Sequence, residues 1–197
     1  MTKQPKKPAI KKSTSKKPTS KKVSIAEYTR RREVWLSALE SGKFKQTTAQ
    51  LHKIDEKGKH SFCCLGVACK VLGDEVGMES FKDSHGSSKE DKSATVGYRM
   101  KGDTCSDHIE SADLPKAVAD YLGMYYPENR GSSTSGQFKH GSKILDDDQI
   151  AMSLIDLNDH RGYSFQKIAE FIRKNPGSIW RNGTYKPLKK RAKKPKK

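Results

Sequence analysis

Ser61-Phe62-Cys63-Cys64-Leu65-Gly66-Val67-Ala68-Cys69-Lys70-Val71-Leu72-Gly73 is the stretch that decides the fold class. Its first three residues resume, after the turn Asp55-Glu56-Lys57-Gly58, a polar and Thr-rich pattern that runs from Phe44 to Ile54, as the second arm of a β-hairpin does. The next nine residues are apolar except for Lys70 and end at Gly73, the pattern of a short buried helix with a glycine stop. A strand that hands over directly to a buried helix implies an α+β protein with one hydrophobic core.

Working outward, Ser24 and Glu27 have the S-x-x-E spacing of a capping box, and Ile25, Tyr28, Trp35, Leu36 and Leu39 form one helical stripe that Gly42 terminates. Downstream, residues 74–93 are rich in Gly, Ser, Asp and Lys and read as a surface loop. Thr95–Met100 reads as a strand that turns at Lys101-Gly102-Asp103 into a second short strand near Cys105. Asp113 is placed to cap a helix over Leu114–Leu122, with Pro115 in the tolerated first turn and Gly123 as stop. After a long polar connection, Tyr126 to Ser142, Asp146-Asp147-Asp148 complements the dipole of a helix carrying Ile150, Met152, Leu154, Ile155 and Leu157. Ser164 caps a final helix with Phe165, Ile168, Ala169, Phe171 and Ile172 on its apolar face; Pro176 ends it, and Ile179, Trp180 and Tyr185 fold back onto the core. The expected architecture is a single small α+β domain of about five short helices with one or two β-hairpins, spanning residues 23–185.

Charge is segregated along the chain. Residues 1–22 hold nine lysines and no acid, and residues 186–197 hold eight basic residues and no acid; together they account for the whole formal charge of +17. The remaining Lys and Arg balance the 23 Asp and Glu, so a neutral body carries two polycationic arms. Proline, mutual repulsion and the lack of an apolar face predict that both arms are disordered, and at about 3.1 Å per residue the first reaches on the order of 70 Å. Such blocks bind polyanions through phosphate contacts and counterion release. The candidate nucleic-acid-binding residues are Lys6, Lys7, Lys11, Lys12, Lys16, Lys17, Lys21 and Lys22, with Lys189, Lys190, Arg191, Lys193, Lys194, Lys196 and Lys197. Neither arm contains an aromatic residue, so neither stacks on bases, and the choice between DNA and RNA is open.

The mean hydropathy of −0.89 owes part of its polarity to these arms. No run of about eighteen apolar residues exists to span a membrane, and no apolar segment follows the N-terminal lysines as a secretory signal requires. Cys63, Cys64, Cys69 and Cys105 are too crowded for a disulfide framework and read as reduced thiols. No P-loop and no dinucleotide fingerprint precedes a helix, and no cofactor is expected.

Two chemistries deserve weighing against burial. Cys63 and Cys64 stand where a strand meets a helix N-terminus, as the cysteine of papain-like folds does; there the dipole lowers a thiol pKa, with His160 as base and Asp159 to orient it. His52, His60, His108 and His140 are other bases within the chain, and Asn158 another orienting group. Against that stands the frequency with which cysteine serves as a small buried hydrophobe. A weaker candidate is a zinc site from His60, Cys63, Cys105 and His108, two pairs each with two residues between them. Asp146-Asp147-Asp148 needs no ion beyond the helix dipole, and Asn158-Asp159-His160 reads as a turn and cap between helices.

Ala38-Leu39-Glu40-Ser41-Gly42-Lys43-Phe44-Lys45-Gln46, then Phe62–Cys69, Leu114-Pro115, Tyr121–Met124, Leu157-Asn158-Asp159, Ser164-Phe165 and Ile168-Ala169 together resemble a family of small tailed-bacteriophage and prophage proteins without established activity. The resemblance covers roughly residues 35–172 and implies a phage origin, with the protein in the host cytoplasm or in the virion. The basic arms and the cysteines, set in that origin, give three expectations: a nucleic-acid-binding accessory protein whose body binds a host or virion protein, a cysteine-dependent enzyme, or a capsid-associated protein with DNA-facing arms.

Overall fold

The computed structural model describes residues 23–83, 93–103, 111–125, 145–146, 149–150 and 153–182. The two basic arms, expected to be disordered, lie outside the described residues, as do the whole connection from Tyr126 to Ser142, the second strand expected near Cys105, and Tyr185.

The fold is α+β. Helix α1 (Ile25–Glu40) begins where Ser24 Oγ accepts the Glu27 N–H at 3.2 Å. Glu27 does not reach back as a capping-box partner in full; Arg30 and Arg31 take its carboxylate at 2.9 Å each and hold it down at about 2. The buried face is Thr29, Arg32, Trp35, Leu36 and Leu39, one turn displaced from the expected stripe at its N-terminal end. Ile25 is 53% exposed, and the place expected for an apolar side chain is held by a fully buried arginine.

Strands β1 (Lys45–Gln46), β2 (His52–Ile54) and β3 (His60–Phe62) precede helix α2 (Cys64–Leu72). The expected hairpin is present: β2 and β3 are antiparallel, and Asp55 closes their turn by accepting the N–H groups of Lys57 and Lys59 at 3.0 and 2.8 Å. β1 runs parallel to β3, which a two-residue strand after a helix does not advertise. Every residue of α2 up to Cys69 is buried, as the apolar run predicts.

Three boundaries differ from expectation. Gly73 stays right-handed and the chain continues into a 3₁₀ turn (Asp74–Val76), so it is Gly77, at φ 73°, that reverses it. The segment after it is not a loop throughout: β4 (Met78–Asp83) pairs along its whole length with β5 (Ala94–Met100), giving sheet order β1-β3-β2-β5-β4. Its polar composition misleads because alternate residues of an edge strand face solvent. Helix α3 (Lys116–Leu122) starts later than expected and Pro115 itself occupies the cap position, while Gly123, at φ 65°, is the stop as expected.

Further along, Leu145–Asp146 (β6) and Gln149–Ile150 (β7) form a short antiparallel ladder where a helix N-terminus is expected. Helical geometry begins instead at Leu154, with Ser153 as its cap: Ser153 Oγ accepts the Asp156 N–H at 3.1 Å. That helix widens into a π-turn over Asp156–His160, closed by Arg161 N–H donating to Asp156 O at 2.9 Å. Helix α4 (Phe165–Lys174) is capped by Ser164 as predicted, and α5 (Pro176–Ile179) starts at the proline that ends it. Trp180 then bridges to Met124 and packs edge-on against Trp35 at 6.3 Å. The core lies between the helices and the inner face of the sheet, from Trp35 and Leu36 through Phe62, Leu65 and Tyr98 to Ile168 and Trp180. Each such fully buried large side chain contributes roughly 1.5–3 kcal/mol.

Candidate functional site

Asn158 is 1% exposed, and every hydrogen-bonding position of its amide is used. Its Oδ1 accepts from Gln46 Nε2 at 2.9 Å and from the Cys64 N–H at 3.3 Å. Its Nδ2 donates to Thr47 O at 2.9 Å and to Asp159 Oδ1 at 2.5 Å. Asp159 Oδ2 accepts the N–H of Ala49, which sits at the strained φ of 63°, and Gln46 Nε2 also donates to Tyr163 O at 2.8 Å. The π-turn is what aims Asn158 inward, because its wider coil places Leu157 and Asn158 side by side on the buried face. Three segments quoted above from distant parts of the chain, around Gln46, around Cys64 and around Asn158, thus meet in one clasp.

Gly66 completes it. Cys63 N–H donates to Leu51 O at 3.1 Å, and a Cβ built on Gly66 would lie 1.6 Å from that same carbonyl oxygen. No other residue lets residues 47–51 lie so close to α2.

The thiols of this segment are spent on structure. Cys63 Sγ caps α2 by accepting the Gly66 N–H at 3.4 Å, and Cys64 Sγ donates to Leu154 O at 3.6 Å. Burial pushes Cys63 up to about 11 and Cys64 well above its ordinary value, and the nearby Asp159 carboxylate adds to both. Burial thus argues against the expected activated thiol: the helix N-terminus is present, but desolvation of a thiolate in the core opposes its dipole. His160, the proposed base, is exposed and bonds Asp156 at 3.2 Å. Asp159 does lie beside the cysteines, but as an acceptor for Ala49 and Asn158.

Of the candidate zinc ligands, Cys105 and His108 lie outside the described residues. Among the described residues no group of three or more His, Cys, Asp or Glu is placed to hold a metal ion. His60 turns to His52 instead.

That contact belongs to a feature the sequence reading did not single out. His52 Nε2 and His60 Nδ1 are 2.7 Å apart, and His52 Nδ1 and the Tyr98 hydroxyl 3.1 Å apart, giving a chain from the exposed His60 to the buried Tyr98. His52 stacks on Phe62 at 4.2 Å. Burial, then the proximity of His60 and Lys70, lowers His52 to about 4, so at neutral pH it is an uncharged link. Burial likewise raises Tyr98. His52 and Tyr98 line a cleft of about 310 Å³ between the C-terminal end of α2 and the β4–β5 hairpin, with Lys70, Asp74, Glu79, Ser80 and Lys101 around it. The cleft offers donors, acceptors and both signs of charge. The alternation that puts His52 and Phe62 on one sheet face is the signal that points to it.

An α+β protein organised round a buried asparagine clasp, with its thiols in the core, is thus what the fold and site define. The chain belongs to the family described as Domain of unknown function (DUF8296), whose model matches residues 28–176. That span contains all three arms of the clasp and leaves out both lysine-rich ends. No curated protein and no solved structure matches the chain. Among the described residues no helix is long and apolar enough to cross a membrane.

Proposed function

We propose that the protein binds nucleic acid without sequence preference through its lysine-rich ends, residues 1–22 and 186–197, while the folded body carries a separate surface for another protein. The observation that carries this reading is the segregation of charge: the ends hold the whole net +17, and the body is balanced. Phosphate contacts need cations that are free to leave water and counterions. Among the described residues, arginines of the body are engaged otherwise. Arg31 donates to Tyr121 O at 3.1 Å, Arg32 to Leu122 O at 2.9 Å and Arg181 to Met124 O at 2.6 Å. Arg173 pairs with Glu33 and Glu40 at 2.7 and 3.1 Å, and Arg99 with Glu79 at 3.4 Å. A phosphate at any of these would have to displace a partner, whereas the lysines of the ends have no acid within their own segments. In the phage setting that the family resemblance implies, this is the chemistry of an accessory DNA- or RNA-binding protein.

Fluorescence anisotropy of a labelled duplex, titrated with the full chain at several salt concentrations, tests the reading. If about eight cations engage, log affinity falls against log salt with a slope of roughly −7. A flat response, or one unchanged when the basic residues of both ends are replaced by glutamine, overturns it.

A further inference from the structure

The His60–His52–Tyr98 chain has two ways to arrange its protons. His52 and Tyr98 are 5% and 3% exposed, and both line the cleft between the C-terminal end of α2 and the β4–β5 hairpin. Among the described residues the Tyr98 hydroxyl has one polar partner, His52 Nδ1 at 3.1 Å, while His52 Nε2 faces His60 Nδ1 at 2.7 Å. A neutral imidazole carries one N–H, so its two nitrogens play opposite parts. In the first arrangement Tyr98 O–H donates to His52 Nδ1 and His52 Nε2–H donates to His60 Nδ1, which spends the phenol proton inside the protein. In the second, His60 Nδ1–H donates to His52 Nε2 and His52 Nδ1–H donates to the Tyr98 oxygen, which turns the phenol proton to the cleft. Passing from the first to the second takes one proton from cleft water at Tyr98 and returns one to bulk water from Nε2 of the exposed His60, so the charge of the chain does not change. Only an acceptor in the cleft then satisfies the buried hydroxyl.

The charges around the cleft favour an acceptor that is an anion. Asp74 of the 3₁₀ turn faces Lys101 at 3.5 Å and Glu79 of β4 pairs with Arg99 at 3.4 Å, so both carboxylates of the lining are matched. Lys70, exposed near the end of α2, forms no ion pair among the described residues; after burial and His60, its charge helps to keep His52 neutral. One unmatched cation and one buried hydroxyl thus look onto a space of about 310 Å³, the size of a small-molecule site.

We propose that this cleft binds a small molecule through a phosphate or carboxylate group that accepts the Tyr98 O–H and faces Lys70, with the chain held in its second arrangement while the anion is bound. His60 acts through His52, and His52 through Tyr98, as positioning residues. The site does not depend on the lysine-rich ends, and an anion attracted to those ends leaves the His52 ring unmoved.

The test uses the full-length chain carrying ¹⁵N-histidine, at about pH 8 where an ordinary imidazole is neutral. It is titrated separately with sodium phosphate and sodium acetate at constant ionic strength, and His52→Gln assigns the His52 signals. Two-bond ¹H–¹⁵N correlations distinguish Nδ1–H from Nε2–H. The expected result is saturable binding of at least one anion, with His52 protonated on Nδ1 in the saturated protein; the tighter anion names the acid group of the ligand. Affinity should fall at least about tenfold in Tyr98→Phe and about threefold in Lys70→Gln, each shown by its melting curve to be folded. Lys43→Gln, an exposed lysine outside the lining, should bind as the parent does. No saturable binding of either anion, His52 protonated on Nε2 in the saturated protein, or parental affinity in Lys70→Gln overturns the site. Lys70 is on the surface, so its variant decides even if Tyr98→Phe does not fold. Binding that disappears when the basic residues of both ends are replaced by glutamine belongs to the ends and overturns the site as well.

Discussion

Gln46 and Asn158, 112 residues apart in sequence, are joined side chain to side chain at 2.9 Å. A buried amide such as that of Asn158 is favourable only when its donors and acceptors are met, and here the half-buried Gln46, the Cys64 N–H, Thr47 O and Asp159 meet them, while Gln46 Nε2 also reaches Tyr163 O. The clasp therefore sets the position of β1, the head of α2 and the π-turn relative to one another.

Asn158→Asp tests it most sharply. The substitution keeps shape and volume but turns the Nδ2 donor into an oxygen facing Thr47 O and the Asp159 carboxylate. The expected loss is about 3 kcal/mol at neutral pH, read as a lower urea midpoint, and partly recovered at acid pH where the new carboxyl protonates. A stability equal to that of the parent would mean the clasp contributes nothing.

Gly66→Ala is expected to be worse tolerated than the same change at Gly58 in the β2–β3 turn. The added methyl at Gly66 meets the Leu51 carbonyl, which is backbone and cannot rotate away, while nothing lies within 4 Å of Gly58. Gly58 pays only for its φ of 74°, about 1 kcal/mol, whereas Gly66→Ala should cost about 3 kcal/mol or more, or prevent folding. Thermal denaturation of the two variants side by side decides.

Acidification is expected to weaken the fold through His52. Its folded value of about 4 lies below the unfolded 6.5, so between these the unfolded chain binds the extra proton. Stability from this group is complete above about pH 6.5 and is lost as pH falls towards 4, by at most about 3 kcal/mol. A series of melting temperatures from pH 7 to pH 4 should fall for the parent and fall less for His52→Gln, which keeps polar atoms but does not titrate there. Parallel curves would remove His52 as the cause.

Thiol labelling should follow unfolding. In a Cys105→Ser chain, Cys63, Cys64 and Cys69 are all buried, so a disulfide reagent at pH 7 should react in the native state only at the rate of opening and at once in denaturant. One thiol reacting within mixing time in the native protein would revive the nucleophile that their burial argues against.

Much of the architecture was legible because its signals are local. Ser24 and Ser164 cap the helices they precede, Gly123 stops α3, and the apolar run from Cys64 is the buried helix it reads as. The misreadings come from places where a distant contact overrides local preference. β4 looks like a loop until β5 pairs with it. Arg32 looks like a surface residue until Leu122 O, Asn182 and the Trp180 ring, 4.2 Å away, surround it; burial then lowers it to about 10. Asp146 looks like a helix start, but Ser153 holds that role. The candidate site was legible in part: Asn158 and Asp159 stood out as polar residues between apolar helices, but not that they close onto Gln46 and Cys64.

From the order of its residues alone, this protein has a charge-balanced α+β body between two basic ends, since charge and hydrophobic period depend only on near neighbours along the chain. That Cys63 caps α2 and that Cys64 lies in the core beside Asn158 is visible only in the tertiary structure. Desolvation and proximity arise only when segments distant in sequence, such as Cys64 and Leu154 or Gln46 and Asn158, are brought into contact, and no local pattern encodes them.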